Sequence, residues 1–251
     1  LACAPVVGGK VVRVDDRQAK ALPGVQQVIV LDDMVAVVAE TSWAAMRALA
    51  AMDITWNDGP NAALGSADLW ADLDKASQAE AHVALDTGAA AKLSGDGVIE
   101  AHYALPLLAH APMEPMNCTV HLTSGKCEVW VGTQVMTMTQ RAAAQEAGLS
   151  PDQVTVHNHL IGGGFGRRLE VDGVRKAVRI AKHVDGPVKV VWSREEDIAR
   201  APYRSVYGAW LKARIANGRV EAWSHRVVGP SVVARWLPPA QPEGAALFLP
   251  F

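Results

Sequence analysis

Runs of β-branched and aliphatic residues, separated by turn-forming residues, dominate the first sixty positions. Two of these runs, Val25 to Leu31 and Met34 to Ala39, predict neighbouring strands joined by a tight connection. Ser42 stands before a segment with apolar residues at helical spacing, which predicts a helix capped at that residue. The pattern indicates a compact α+β unit, and we place a first domain at residues 1–62.

The pattern weakens over residues 63–97, which we interpret as a connecting segment with one helix at Ser66 to Ser77. Residues 98–251 regain clear periodicity and predict a second α+β domain. Asn217-Gly218 is a strong hairpin signal, because both residues tolerate positive φ. Strands are predicted at 98–103, 118–123, 127–132, 154–160, 187–193, 206–216 and 219–228, and helices at 139–148 and 170–184.

Composition narrows the class of protein. Half of the 251 residues are apolar and a fifth are charged, which is the balance of a globular chain with a sizeable core. The formal net charge is -2, so no general basic field attracts nucleic acid or anionic lipid. No apolar run reaches the ~18 residues that a membrane-spanning helix needs. We therefore expect a soluble protein without a nucleic-acid partner.

The cysteines and the chain ends carry two further expectations. Cys3, Cys118 and Cys127 are odd in number and show no CxxC spacing, so we expect neither a disulfide framework nor a zinc site. The chain opens on Leu1 without an initiator Met and closes on the apolar stretch Phe248 to Phe251. These ends suggest an internal piece of a longer polypeptide, and they leave the cellular compartment open.

The most unusual segment is the glycine-rich stretch Ile161 to Arg168, which lies between a predicted apolar strand and a predicted amphipathic helix. Glycines let the backbone bend sharply and bring bare N–H groups against a ligand. A glycine loop that runs into a helix N-terminus suits an anion, and two arginines add charged donors. No Ser or Thr follows Arg168, so a nucleotide triphosphatase loop is disfavoured.

Four linked motifs carry a resemblance to a known family. The glycine-phenylalanine loop is similar to that of the xanthine dehydrogenase and aldehyde oxidase family of molybdenum hydroxylases. Its Gly-Arg-Arg-Leu-Glu ending resembles the branch of isoquinoline 1-oxidoreductase β subunits and related bacterial aldehyde dehydrogenases. Upstream, Leu22 to Val25 with Val35 to Glu40 resembles the family's α/β hammerhead domain. The four motifs are His110 to Cys118, Trp130 to Gln134, Gly162 to Glu170 and Val190 to Asp197.

The resemblance implies a fold, a cofactor and a reaction. The fold is a hammerhead-like domain followed by the first part of a molybdopterin-binding domain with mixed sheets. The cofactor is molybdenum held by a molybdopterin, which in bacteria is usually extended as a cytosine dinucleotide. The reaction hydroxylates an aldehyde or an N-heteroaromatic C–H bond with oxygen from water, and two electrons pass to 2Fe-2S clusters on a partner subunit.

The resemblance also implies partners and an incomplete active site. The partners are an iron–sulfur electron-transfer subunit, the remaining part of the chain's own large subunit and a small-molecule substrate. Members of that branch occur in the bacterial cytoplasm or periplasm, some of them membrane-associated through partners. The family's catalytic glutamate lies in the C-terminal part of the large subunit, beyond this sequence. No catalytic residue is therefore assigned here, and we expect the chain alone to be inactive.

Motif positions imply which residues bind the cofactor. Gln134 donates through its neutral amide NH₂ to an oxygen of the metal centre, although a glutamine satisfied in a local turn is the alternative. Bare backbone in the loop approaches the molybdenum–pterin unit, where side chains would obstruct it. Arg167 and Arg168 meet a cofactor phosphate or a carboxylate of the missing half, or else are solvated surface residues. The implied set is Gln134, Gly163, Gly164, Phe165, Gly166 and Arg167.

Two residues fall at substrate-pocket positions of the family. Leu169 stands where xanthine-type enzymes place a substrate-binding Glu, which favours a more apolar substrate such as a heteroaromatic ring or an aldehyde. Arg194 matches a substrate-contacting position, with a salt bridge to Glu195 or Glu196 as the alternative. We interpret Glu114 as structural, tying down a helix end or a strand crossing.

Other residues are interpreted as structural. His157 and His159 share one face of a predicted strand, but no third ligand is near, so we predict packing or backbone hydrogen bonding in place of a metal site. Tryptophans such as Trp43, Trp192 and Trp223 are predicted to anchor the cores. Two rival functions remain open: a module that binds a phosphorylated ligand without redox chemistry, and a structural domain whose glycine loop only packs.

Overall fold

The computed structural model describes residues 1–88 and 90–231. Helices and several short sheets alternate along the chain, as the α+β prediction requires. The strands are β1 (Ala2–Cys3), β2 (Lys10–Asp15), β3 (Val25–Val30), β4 (Met34–Ala39), β5 (Asp53–Asn57), β6 (Val98–Leu105), β7 (Asn117–Thr123), β8 (Lys126–Val131), β9 (Val154–Asn158), β10 (Val188–Val191), β11 (Tyr207–Ala216) and β12 (Arg219–Val228). The α-helices are α1 (Arg17–Lys20), α2 (Ser42–Ala50), α3 (Ser66–Ser77), α4 (Met136–Ala147), α5 (Asp172–Ala181) and α6 (Arg194–Arg200).

Contacts divide the chain into two compact units, each built from segments that are distant in sequence. The first unit combines Leu1–Ala63 with Ala109–Pro202, and the second combines the described residues of Leu64–Leu108 with those from Tyr203 to Ser231. The predicted boundaries at 62 and 97 follow the order of the chain, whereas β6 pairs with the distant strand β11. Such long-range pairing leaves no signal in the local sequence. The predicted domain division stays a prediction.

In the first unit, a parallel strand pair positions the segments of interest. The four-stranded sheet has the order β10-β7-β8-β9, in which β8 and β9 are parallel, with Val131 opposite Asn158. Parallel neighbours need a crossover connection, and α4 supplies it. Because the carboxyl ends of parallel strands meet at one edge, the chain after β8, which holds Gln134, and the chain after β9, which holds the glycine loop, emerge together.

Helix α5 covers this sheet with one apolar face. Val174, Ala177, Val178 and Ala181 recur at helical spacing and are buried. They join a core that includes Val120, Val129 and residues of the β1-β4-β3 sheet. A buried, close-packed core of this kind resists displacement of its strands, so the edge that carries Gln134 and the glycine loop has a rigid base.

The second unit contains the antiparallel sheet β12-β11-β6 and helix α3. The hairpin between β11 and β12 has φ angles of 50° at Asn217 and 71° at Gly218, as the sequence predicted for this pair. His102 and Trp210 stack across β6 and β11 with ring centroids 4.3 Å apart. Among the described residues, no helix has the length and apolar content to cross a membrane.

Three local predictions were wrong. The N-cap of α2 is Thr41, whose hydroxyl oxygen accepts a hydrogen bond from the Ala44 N–H at 3.1 Å. Trp43 and Trp223 are 70% and 55% exposed, whereas Trp192 is 4% exposed and does lie in the core. Periodicity identifies one face of an element, but it does not reveal whether another element covers that face.

Helix α6 was also missed, because a strand was predicted at 187–193 and no helix after it. Ser193 caps it by accepting a hydrogen bond from the Glu196 N–H at 3.1 Å. Acidic residues fill its first turn, where they complement the partial positive charge of the helix N-terminus. Capping chemistry is therefore the sequence signal that could have identified this helix.

Candidate functional site

The glycine loop, residues Ile161 to Gly166, lies beside the segment that follows β8. Hydrogen bonds join the ends of β8 and β9 and the chain that follows each, and three of them use backbone N–H groups as donors. The Thr133 N–H donates to the Asn158 side-chain oxygen at 2.9 Å, the Gln134 N–H donates to the Arg168 carbonyl at 3.0 Å, and the His159 N–H donates to the Val131 carbonyl at 3.2 Å. The parallel strands thus continue into two loops that are bonded to each other.

A tight turn closes the glycine loop at Phe165-Gly166. The Arg167 N–H donates to the Gly164 carbonyl at 2.8 Å, and φ is 53° at Phe165 and 97° at Gly166, which is the pattern of a type I′ turn. A residue other than glycine in this region costs roughly 1–2 kcal/mol. Phe165 is 67% exposed, so its side chain does not fill the core. Strained residues of this kind cluster at ligand-binding sites.

Gln134 lies directly against Gly164. A Cβ atom on Gly164 would stand 2.7 Å from Gln134 Oε1 and 3.2 Å from Cδ, so no side chain fits there without displacing the glutamine. None of the described residues accepts a hydrogen bond from the Gln134 side-chain NH₂. The exposed amide therefore lies beside the loop with its donors available to a ligand.

Four successive backbone amides of the loop share this property. Within the described part of the chain, the N–H groups of Gly163, Gly164, Phe165 and Gly166 have no acceptor. The amide before them differs, because the Gly162 N–H donates to Glu114 Oε2 at 2.8 Å. Successive N–H groups in a turn with left-handed residues form a concave site for anions or other electron-rich groups.

Two buried arginines lie next to the loop. Arg167 makes a two-point ion pair with Asp172, at 2.7 and 3.0 Å. Arg168 donates to a Glu114 carboxylate oxygen at 2.7 Å. Their side chains are 2% and 0% exposed, so the interpretation as solvated surface residues is wrong. Buried charges require partners, and here the partners are carboxylates of the same chain.

Glu114 ties the segment before β7 to the glycine loop. Its Oε2 accepts hydrogen bonds from Gly162 and Arg168, and its Oε1 accepts one from Asn117 Nδ2 at 2.9 Å. Burial raises the pKa of this carboxyl, but the Gly162 N–H, the Asn117 amide and the Arg168 guanidinium outweigh burial and hold the pKa below its usual value. These contacts confirm the predicted structural role of Glu114.

We expect Glu114→Gln to destabilise the protein at neutral pH and to have less effect in acid. A carboxyl with a lowered pKa in the folded chain stabilises the fold above its unfolded pKa, and this contribution is lost as pH falls through the folded pKa. The ordinary value is 4.5, so the loss occurs below that pH. The measurement is the free energy of urea unfolding of both proteins between neutral pH and about pH 3. A difference that does not change with pH would contradict the assignment.

Leu169 lies at the end of a 3-10 helix, Arg167–Leu169, and is half-buried. The glycine loop leads into this short turn, and α5 begins only at Asp172. The helix predicted at 170–184 is present as α5, Asp172–Ala181, and the 3-10 helix Arg167–Leu169 stands between it and the loop. The N–H groups without an acceptor among the described residues therefore belong to the loop itself and not to the start of α5.

Arg194 binds protein groups near the loop. It donates to the Met113 carbonyl at 2.7 Å and lies 3.4 Å from an oxygen of Asp197. The expected ion pair with Glu195 or Glu196 was wrong, because helical spacing brings Asp197 to the same face. Sequence reasoning missed Asp197, which is buried, and its burial raises the pKa of the carboxyl.

The paired histidines have the structural roles that were predicted. His157 stacks on Trp130 with ring centroids 4.7 Å apart, and its Nε2 lies 3.4 Å from a Glu128 oxygen. The backbone of His159 bonds to Val131. Over the described ranges, no three His, Cys, Asp or Glu side chains are grouped to hold a metal ion.

Comparison with known protein families adds an independent finding. Residues 75–241 match the molybdopterin cofactor-binding domain, which is well over half of the chain. The chain belongs to this family. The molybdopterin family identified by its four sequence motifs is thus confirmed.

Known relatives of this molybdopterin-binding chain are much longer proteins. Isoquinoline 1-oxidoreductase subunit beta of Brevundimonas diminuta is 34% identical, over 93% of this chain and 32% of that protein. The membrane-bound aldehyde dehydrogenase (pyrroloquinoline-quinone) of Gluconacetobacter polyoxogenes is 28% identical, over 79% of this chain and 27% of that protein. The crystal structure of quinoline 2-oxidoreductase from Pseudomonas putida 86 matches with a TM-score of 0.64 at 18% identity, over 87% of this chain and 34% of that chain. The chain spans about a third of the length of these proteins.

The residues of the site fit a molybdopterin group. Glycines at 163 and 164 leave the backbone bare, and the adjoining amides are donors for the oxygen, sulfur and phosphate atoms of such a cofactor. The Gln134 NH₂ adds a neutral donor from the facing segment. Both sets of donors lack acceptors among the described residues, so no described protein group competes with a ligand for them.

The connection that Arg168 makes between the two segments was missed by sequence reasoning. Glu114 stands between Met113 and Pro115, and Arg168 stands beside the glycines. A single acidic residue in an apolar motif and a basic residue next to a bare loop are a signal for a buried ion pair. The signal could have indicated the pair, but not the carbonyls that the arginine also reaches.

Proposed function

We propose that the chain is part of the large subunit of a molybdopterin-dependent oxidoreductase that hydroxylates an aldehyde or an N-heteroaromatic C–H bond with oxygen from water. Its family and the names of its relatives support this proposal. The observation that carries it is the row of amides at Gly163 to Gly166, which have no acceptor among the described residues, beside the Gln134 side chain, whose NH₂ likewise has none there. The arrangement is a set of fixed donors around a bare surface.

In this proposal the chain's own residues bind and orient the cofactor. The amides of the loop and Gln134 Nε2 donate hydrogen bonds to it, and Gly164 keeps the approach free. The bound molybdenum group supplies the redox chemistry and the oxygen transfer. Arg167, which the family motif suggested as a cofactor contact, pairs with Asp172 and stabilises the turn from the protein side.

This chain supplies only part of the proposed substrate pocket. Leu169 gives an apolar wall, which favours an aldehyde or a heteroaromatic ring over a purine. Arg194 already binds Met113 and Asp197, so it contributes to the pocket by fixing the position of Met113 in the segment before β7. The general base lies in another part of the parent protein, so the 251-residue chain alone has no hydroxylase activity.

The wider proposal covers the rest of the enzyme. The cofactor is the cytosine dinucleotide form, and the electrons leave through 2Fe-2S clusters on a partner subunit. A hammerhead-like domain occupies residues 1–62, a connecting segment 63–97, and part of the cofactor-binding domain 98–251. The remaining part of the large subunit completes the pocket around the substrate.

Cofactor content tests the proposal. The complete polypeptide, produced with its partner in a host that makes the cofactor, is analysed for molybdenum by mass spectrometry and for pterin by fluorescence after oxidation. We expect molybdenum and pterin in near-equal amounts. Bound phosphate without metal would instead support a simple phosphate-binding module. Pyrroloquinoline quinone without molybdenum, the cofactor named for the Gluconacetobacter polyoxogenes relative, would also contradict the proposal.

A further inference from the structure

One buried side chain connects three separate segments around the candidate site. The Arg168 guanidinium donates to the Gly163 carbonyl at 2.9 Å and to the Gly132 carbonyl at 3.1 Å. It also donates to the Glu114 carbonyl at 3.2 Å and to a Glu114 carboxylate oxygen at 2.7 Å. Four donors of one rigid, planar group thus bind the glycine loop, the end of β8 and the segment before β7.

The backbone of Arg168 reaches the same region from the other side. Its carbonyl accepts hydrogen bonds from the Gln134 N–H at 3.0 Å and from the Thr133 hydroxyl at 3.2 Å. The residue that holds Gly163 through its side chain therefore holds Gln134 through its main chain. A displacement of Arg168 changes the separation between the two donor sets of the site.

Two glycines allow these segments to approach closely enough for the arginine to join them. A Cβ atom on Gly132 would stand 2.7 Å from Ile161 Cγ2, and one on Gly162 would stand 2.5 Å from Glu114 Cβ. Neither position has room for a side chain unless its neighbour shifts. The close approach of the backbones at these glycines and the four hydrogen bonds of Arg168 together fix the distance between the end of β8 and the glycine loop.

We propose that Arg168 is a positioning residue that sets the separation between Gln134 and the loop amides, and thereby determines how the cofactor is seated. The inference rests on the proposed function. A guanidinium presents its donors in a fixed fork, whereas the ammonium group of lysine is a compact point charge on a flexible stem. Lysine at this position keeps the charge opposite Glu114 but does not reach all the carbonyls together.

The test compares Arg168→Lys with a matched variant in the complete protein with its partner. The control is Arg179→Lys, because Arg179 also makes a two-point ion pair, with Asp33 at 2.6 and 3.0 Å, in the same unit. That pair does not involve the loop. Three quantities are measured on each protein: the melting temperature, the molybdenum content per polypeptide, and the electron paramagnetic resonance spectrum of the bound molybdenum.

We expect Arg168→Lys to lower the molybdenum content about 10- to 100-fold, the range for residues that orient metal-binding groups from the second layer. The remaining molybdenum should show an altered spectrum. The control should lose stability while it keeps the molybdenum content and spectrum of the wild type. Glu114→Gln keeps the carbonyl contacts of Arg168, so its molybdenum content should lie between those of the wild type and Arg168→Lys. It replaces the lysine variant in the test if that variant does not fold.

Two results would overturn the inference. One is wild-type molybdenum content and spectrum in both Arg168→Lys and Glu114→Gln. The other is an equal loss of molybdenum in the Arg179 control, since Arg168 would then act only through general stability. A wild-type protein without molybdenum is a different failure, because it would overturn the proposed function itself and the inference with it.

Discussion

Replacing Gly164 with valine is expected to leave the complete protein folded but almost free of molybdenum. A Cβ at this position already lies 2.7 Å from Gln134 Oε1, and the two methyl groups of valine extend further into the space between the loop and the glutamine. Gly164 does not have a positive φ, so the effect comes from the occupied space and not from backbone strain. We expect a loss of at least about 10-fold in molybdenum per polypeptide, which is the size of the loss in metal affinity when residues around a metal site are changed.

A glycine with room around it provides the control. At Gly65, which precedes α3, the nearest atom to an added Cβ is 3.6 Å away, an ordinary contact. Gly65→Ala should therefore keep the molybdenum content of the wild type. Mass spectrometry of both purified variants measures the metal. A fully loaded Gly164→Val protein would show that the cofactor does not approach this part of the loop.

Replacing Gln134 with leucine should lower turnover about 10²-fold while molybdenum is retained, by analogy with the removal of one preorganised donor in an active site. Leucine is similar in size to glutamine, but it donates no hydrogen bond. The loop amides remain in this variant and continue to bind the cofactor. The measurement is the steady-state rate with an aldehyde or N-heteroaromatic substrate, divided by the molybdenum content of the same sample.

Gln140 supplies the matched control for this substitution. Its amide donates to the carbonyls of Pro151 and Val154, at 3.0 Å each, so the protein itself satisfies it. Gln140→Leu should lower stability, because the part-buried Val154 carbonyl loses this donor, and leave turnover per molybdenum unchanged. If Gln134→Leu behaves in the same way as Gln140→Leu, the proposed contact of Gln134 with the cofactor is absent.

Regular elements of this fold could be predicted because their signals are local. The Asn217-Gly218 hairpin and the helix Ser66–Ser77 follow from turn chemistry and apolar spacing within a few residues. The pairing of β6 with β11 could not be predicted, because its partners are about a hundred positions apart and no residue of either strand specifies the other. Burial could not be predicted for a similar reason: Trp43 lies on the predicted apolar face of α2 but is exposed.

The candidate site was predictable in its motifs but not in its contacts. The bare loop and Gln134 were identified from the sequence, and the structure places them together at the edge of the β8–β9 pair. Arg168 was interpreted from its charge alone, which suggested a ligand or solvent. Its actual partners include three main-chain carbonyls, and carbonyls are present at every residue, so the sequence carries no mark of them.

The most direct test of the account is an experimental structure of the complete protein loaded with its cofactor. We predict that Gln134 Nε2 and at least one amide of the Gly163 to Gly166 segment lie within hydrogen-bond distance of the molybdenum–pterin unit, about 2.7–3.2 Å. A cofactor bound at another surface, with the Gln134 NH₂ and the loop amides bonded to protein or solvent, would contradict the account.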